Sequence, residues 1–74
     1  MEADKMFEEL GYEVDSTYIY EKESHLFYCK GYTRIDFDIN RKNVYKYNLS
    51  GYRSPISMQE LKAINKKCEE LGCI

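Results

Sequence analysis

Few side chains in this chain are of the types that do chemistry. His25 is the single histidine, Cys29, Cys68 and Cys73 are the thiols, and Asp36 and Asp38 stand two apart. Acid–base or nucleophilic catalysis needs a titratable base held beside a nucleophile or a second acid. His25 falls in the polar run Lys22-Glu23-Ser24-His25, which reads as an exposed loop. His25-x-x-x-Cys29 with Cys68 and Cys73 would make a Cys₃His set that zinc accepts. That spacing fits no common zinc module, and Cys68 has an apolar role on a helix stripe. No metal and no cofactor is expected. Asp36 and Asp38 share one strand face, with Glu21 or Lys22 nearby, but paired carboxylates serve glycosidases and two-metal nucleases only within a cleft. A flat sheet offers none, and Lys46 is the natural partner of Asp38. No enzymatic activity is expected.

Two kinds of binding surface remain. Arg53, Lys62 and Lys66, with Arg41, Lys42 and Lys67, could meet phosphates while tyrosines stack on bases. A net charge of −2 and a pI of about 5.3 oppose such a surface, because a nucleic-acid-binding domain is normally basic. The four glycines stand singly at element ends, so no phosphate-cradling loop exists. A small nucleic-acid-binding regulator built on Arg53, Lys62 and Lys66 is therefore the alternative to protein binding. The eight tyrosines carry the leading reading. Tyr12, Tyr45 and Tyr47 are expected in the core, but Tyr18, Tyr20, Tyr28, Tyr32 and Tyr52 cannot all be buried in so small a domain. Tyr18 and Tyr20 amid Glu21, Glu23, Asp36 and Asp38 would form an acidic, aromatic surface. Exposed tyrosine is enriched at protein contacts, and strand propensity alone accounts for it equally well.

Size and composition bound what can position these groups. Seventy-four residues make one domain, residues 1–74, which buries only about 60% of the surface its unfolded chain exposes. An apolar share of 43%, of which aromatics supply 15%, is too high for disorder. No apolar run approaches the roughly 18 residues of a membrane helix, and Met1-Glu2-Ala3-Asp4-Lys5 has no signal-peptide pattern. Three cysteines without a C-x-x-C pair read as reduced thiols. A cytoplasmic protein is expected. Residues 1–38 hold ten acids and four bases, whereas 39–74 hold three acids and seven bases. The bland account of that split is mutual attraction or solvated faces.

Local signals then place the elements. Ser57-Met58-Gln59-Glu60 fits a capping box, and Leu61, Ile64, Cys68 and Leu71 recur at helical spacing, so a helix is expected over 57–71. A shorter one near the N-terminus, capped by Asp4, offers Met6, Phe7 and Leu10. Tyr32 to Ile39 alternates as a half-buried strand, with Thr33, Ile35, Phe37 and Ile39 on one side and Arg34, Asp36 and Asp38 on the other. A bulged turn with Asn43 left-handed would pair Asn40 with Val44, setting Phe37 opposite Tyr47 and Asp38 opposite Lys46. Thr17 to Glu23 and Leu26 to Cys29 are further strands. The expected class is α+β: an antiparallel meander of three to four strands, a C-terminal helix packed on one face and a short N-terminal helix. Glu8-Glu9-Leu10-Gly11 returns as Glu69-Glu70-Leu71-Gly72. Each copy reads as a helix stop with a left-handed glycine, which sets Tyr12 against Phe7 and Cys73 against Cys68.

The opening Met6 to Tyr12 (MFEELGY), the hairpin Ile35 to Asn48 (IDFDINRKNVYKYN) and the close Ile56 to Gly72 (ISMQELKAINKKCEELG) resemble short proteins of phages, prophages and mobile elements of Gram-positive bacteria. The chain departs from that pattern in its extension Met1 to Lys5 and in carrying Cys73 where tryptophan is expected. The resemblance implies a class of role and no site residues. Small phage accessory proteins are often binders that inhibit or redirect a host enzyme, anti-CRISPRs among them. The expected partner is a host or phage protein met without catalysis, in the bacterial cytoplasm. A homodimer is a further way for so thin a domain to bury its tyrosines.

Overall fold

The computed structural model describes residues 2–15, 19–20 and 23–74, with the backbone alone at 15, 19, 20, 23 and 24. Helix α1 spans Glu2–Glu9 and α2 spans Met58–Glu70. Between them run β1 (Glu13–Asp15), β2 (Ile19–Tyr20), β3 (Glu23–Lys30), β4 (Thr33–Asp38) and β5 (Asn43–Asn48). The sheet is antiparallel in the order β1-β3-β4-β5, and β2 pairs with β3 beside it. This is the α+β fold expected.

Both helices end as the repeated motif dictates. Gly11 and Gly72 adopt φ of 91° and 74°. The Tyr12 amide donates to the Phe7 carbonyl and the Cys73 amide to that of Cys68, each at 2.9 Å, the six-to-one bond of the Schellman motif. The Phe7 and Tyr12 rings meet edge to face at 5.8 Å. At the start of α2 the Ser57 hydroxyl accepts from the Glu60 amide at 3.0 Å and the Glu60 carboxylate accepts from the Ser57 amide at 2.9 Å. Asp4, by contrast, does not cap α1. The helix starts at Glu2, and the Asp4 carboxylate accepts instead from the Tyr28 hydroxyl and from Lys67 Nζ, the latter at 3.3 Å.

The core joins Phe7, Tyr12, Tyr28, Ile35, Phe37, Ala63 and Ile64. Phe7 stacks on Tyr28 with ring centroids 3.9 Å apart. Three helix positions differ from the expected stripe. Leu61 is 56% exposed, whereas Glu60 and Lys67 are buried. The helix turns these charged residues inward because each has a counter-charge there: Glu60 meets Lys46 at 2.8 Å, and Lys67 meets Asp4 at 3.3 Å.

The hairpin register also departs from expectation. The left-handed residue is Lys42 (φ 57°), not Asn43, and the loop holds four residues, 39–42, between Asp38 and Asn43. The Asp38 carboxylate organises it by accepting from the Arg41 amide at 3.3 Å and from Arg41 Nη1 at 3.0 Å. Asp36 thus faces Tyr45 and Ile35 faces Lys46. The shift is odd, so every β5 side chain changes face. Tyr45 and Tyr47 leave the core side for the outer face, and Lys46 turns beneath the sheet, away from Asp38. His25 is likewise not a loop residue: β3 begins at Glu23 and His25 pairs with Asp38. Of the expected strand over residues 17–23, the described residues show the pairing of Ile19 with Ser24 and of Tyr20 with Glu23; 17, 18, 21 and 22 lie outside the described residues.

Candidate functional site

Strand alternation sends Leu26, Tyr28, Ile35, Phe37, Val44 and Lys46 toward the helices. The other face carries His25, Phe27 and Cys29 from β3, Arg34, Asp36 and Asp38 from β4, and Asn43, Tyr45 and Tyr47 from β5. His25 Nδ1 lies 2.8 Å from Asp36 Oδ1, and its ring lies parallel to that of Phe27 at 5.8 Å. The Arg34 guanidinium covers the same phenylalanine at 4.9 Å, which accounts for Phe27 being buried on the outer face. Burial pushes the Asp38 carboxyl upward, but the Arg41 side chain and amide outweigh it and hold the group below its ordinary value.

These contacts organise the face. His25 and Cys29 are four strand residues apart, about 13 Å at about 3.3 Å per residue, so they form no nucleophile–base pair. Among the described residues no cluster of His, Cys, Asp and Glu can hold a metal ion. Cys68 and Cys73 lie on the helix side, where Cys68 packs against the core. Burial, and then Cys73 beside it, push the Cys68 thiol up.

Val14, Met58, Leu61 and Ile74 are exposed singly, and the other exposed large apolar residues, Tyr32, Tyr45, Leu49, Tyr52 and Ile56, gather along one side of the sheet. The edge of β5 borders a groove of about 620 Å³ whose walls include Val44, Tyr45, Tyr47, Arg53 and Ile56. The chain partly covers this edge: the Ser54 amide donates to the Lys46 carbonyl at 3.2 Å and the Asn48 amide to the Tyr52 carbonyl at 2.9 Å. Tyr47 and Arg53 stand opposite as a bridge and so share the outer face. Beyond this cover the sheet ends in a tip of Tyr32, Leu49 and Tyr52, which are 81%, 55% and 71% exposed. A bond from the Leu49 amide to the Tyr32 carbonyl, 2.8 Å, ties two of them together.

The residues singled out in the sequence do not gather as one site. Asp36 is engaged by His25 and Asp38 by Arg41, so neither offers a free carboxylate. Tyr18 and Glu21 lie outside the described residues, as do the side chains of Tyr20 and Glu23. Of the basic set, Lys66 pairs with Glu2 at 3.4 Å and with Glu69 at 3.8 Å. Lys62 stands on the same helix, and Arg53 stands on the sheet edge. The groove-lining Tyr45 and Ile56 escaped notice because the assumed register placed Tyr45 in the core. The four-residue loop, signalled only by Asp38 as a turn-forming residue, was the available clue. No helix among the described residues is long and apolar enough to cross a membrane. No family model, no curated protein and no solved structure matches the chain.

Proposed function

We propose that the chain is a non-enzymatic protein-binding module that engages its partner through the β5 edge and the aromatic tip beside it. The observation that carries this reading is the band of exposed apolar side chains. Tyr45, Ile56, Tyr52, Leu49 and Tyr32 are 48%, 44%, 71%, 55% and 81% exposed, and they follow one sheet edge round to its end. Tyrosines there bring contact area at small entropic cost. On the helices, in contrast, Lys66 pairs with Glu2 and Glu69 and Lys67 with Asp4. In keeping with the resemblance of its termini to phage and mobile-element proteins, the partner is a host or phage protein, and binding inhibits or redirects it, as an anti-defence protein does.

The test is capture from a nuclease-treated lysate of a Gram-positive host, comparing the wild-type chain with Tyr45→Ser/Tyr52→Ser and with the control Leu61→Ser. The wild type and the control should retain one protein stoichiometrically, and the double variant should lose it. Retention seen only in a parallel lysate left untreated with nuclease favours the nucleic-acid alternative built on Arg53, Lys62 and Lys66. Retention by the double variant as strong as by the wild type contradicts the proposal.

A further inference from the structure

We infer that the open part of the β5 edge receives an extended segment of another protein in which an acidic residue stands next to an apolar one. This rests on the protein-binding reading and narrows it to one surface and one partner chemistry. The bonds from Ser54 to Lys46 and from Asn48 to Tyr52 show that Lys46 and Asn48 turn their peptide groups away from β4. Residues two apart in a strand point their N–H and C=O toward the same edge. Val44 therefore faces this edge too, and among the described residues nothing bonds its amide or carbonyl. Pro55 is the reason the cover stops short. It has no N–H to donate, and its carbonyl accepts from Lys46 Nζ at 2.7 Å, which takes the chain off the edge toward α2.

An added strand would gain main-chain bonds at Val44 and specificity from its alternating side chains. On the outer face its residue beside Tyr45 lies about 7 Å along the strand from Arg53, within reach of that side chain. Arg53 is exposed and has no acidic partner among the described residues. The only other cation of the groove, Lys46, is already paired with Glu60. The groove therefore presents one unmatched positive charge, which selects a carboxylate. The residue next to that carboxylate, opposite Val44, points the other way, toward Val44 and the half-exposed Ile56, and is apolar.

The probes are short peptides alternating valine with glutamate, or valine with lysine, added to the full isotope-labelled chain and followed by amide chemical shifts and hydrogen exchange. The glutamate peptide should shift and protect the Val44 amide and move Tyr45, Tyr47 and Arg53. Arg53→Glu should weaken it by roughly tenfold, as loss of one charge-assisted hydrogen bond does, and favour the lysine peptide. Val44→Pro removes an outward N–H at an edge position that tolerates proline, and should abolish binding in a chain whose spectrum stays folded. Equal binding of both peptides, or binding indifferent to Val44→Pro, overturns the inference. So does a Val44 amide protected in the free chain as concentration rises, since a second copy then takes the edge. Shifts confined to Tyr32, Leu49 and Tyr52 overturn the edge inference while supporting the wider protein-binding reading. Silence with both peptides overturns the edge inference alone, because the capture experiment tests the wider reading separately.

Discussion

Replacing Glu60 by glutamine should cost about 3 kcal/mol at neutral pH and remove much of the acid sensitivity of the fold. Glu60 is 8% exposed and accepts from Lys46 Nζ at 2.8 Å, from the Ser57 amide at 2.9 Å and from the Tyr12 hydroxyl. Burial raises its carboxyl, but these donors outweigh burial and bring it down from 4.5 to about 2. At about 1.4 kcal/mol per pKa unit, that depression links about 3 kcal/mol to the charged form. Domains are stabilised by about 0.05–0.15 kcal/mol per residue, so the whole chain has on the order of 4–11 kcal/mol. The folded pKa is lowered, so this stability is present above the ordinary value of 4.5 and is lost as pH falls from there toward 2. Urea unfolding at several pH values should show a deficit of about 3 kcal/mol in Glu60→Gln at pH 7 that closes toward pH 2. Asp4 and Asp38, also held below their ordinary range, act in both proteins and cancel in the difference. Adding Lys46→Met should restore part of the loss, since an unpaired buried ammonium is costlier than none. A deficit under 1 kcal/mol, or one that does not change between pH 7 and pH 2, would refute the reasoning.

Two further stability measurements bear on the scaffold. Asp4→Ala strips the acceptor from the fully buried Tyr28 hydroxyl and the counter-charge from Lys67, which is 6% exposed; urea unfolding should show a loss of about 2–3 kcal/mol. Gly11→Ala places a methyl 3.3 Å from Lys30 Cε at φ +91° and should cost about 1–2 kcal/mol. Gly72→Ala, with nothing within 4 Å, should cost the backbone strain alone, and thermal melts of the two variants would separate strain from crowding.

What the sequence made legible was local. Ser57 and Glu60 announce the start of α2, and the doubled Glu-Glu-Leu-Gly announces both stops, because each device acts within one turn of chain. Alternation from Thr33 to Phe37 located β4 for the same reason. The register of β5 was not legible, because it hangs on the conformation of the loop 39–42 and on a pairing of Lys46 with Glu60 that is remote in sequence. A lysine on a strand reads as a surface residue until its counter-charge is known. Once Lys46 turns inward, Tyr45 and Tyr47 must turn outward, and the proposed binding surface moves from the expected acidic face to the β5 edge. Asp36 and Asp38 drew attention as a pair of acids. The His25 ring hydrogen-bonds Asp36 and Arg41 pairs with Asp38, and neither pairing was legible because both depend on the strand register and the hairpin loop.

The most direct test of the account is hydrogen exchange on the captured complex, read residue by residue against the free chain. Binding through the β5 edge predicts new protection at Val44, whose amide faces the open edge, and at Arg53 and Ile56 beside it, with the α2 surface around Lys62 and Lys66 unchanged. Protection confined to that helix surface, with the β5 edge exchanging as in the free chain, would contradict it.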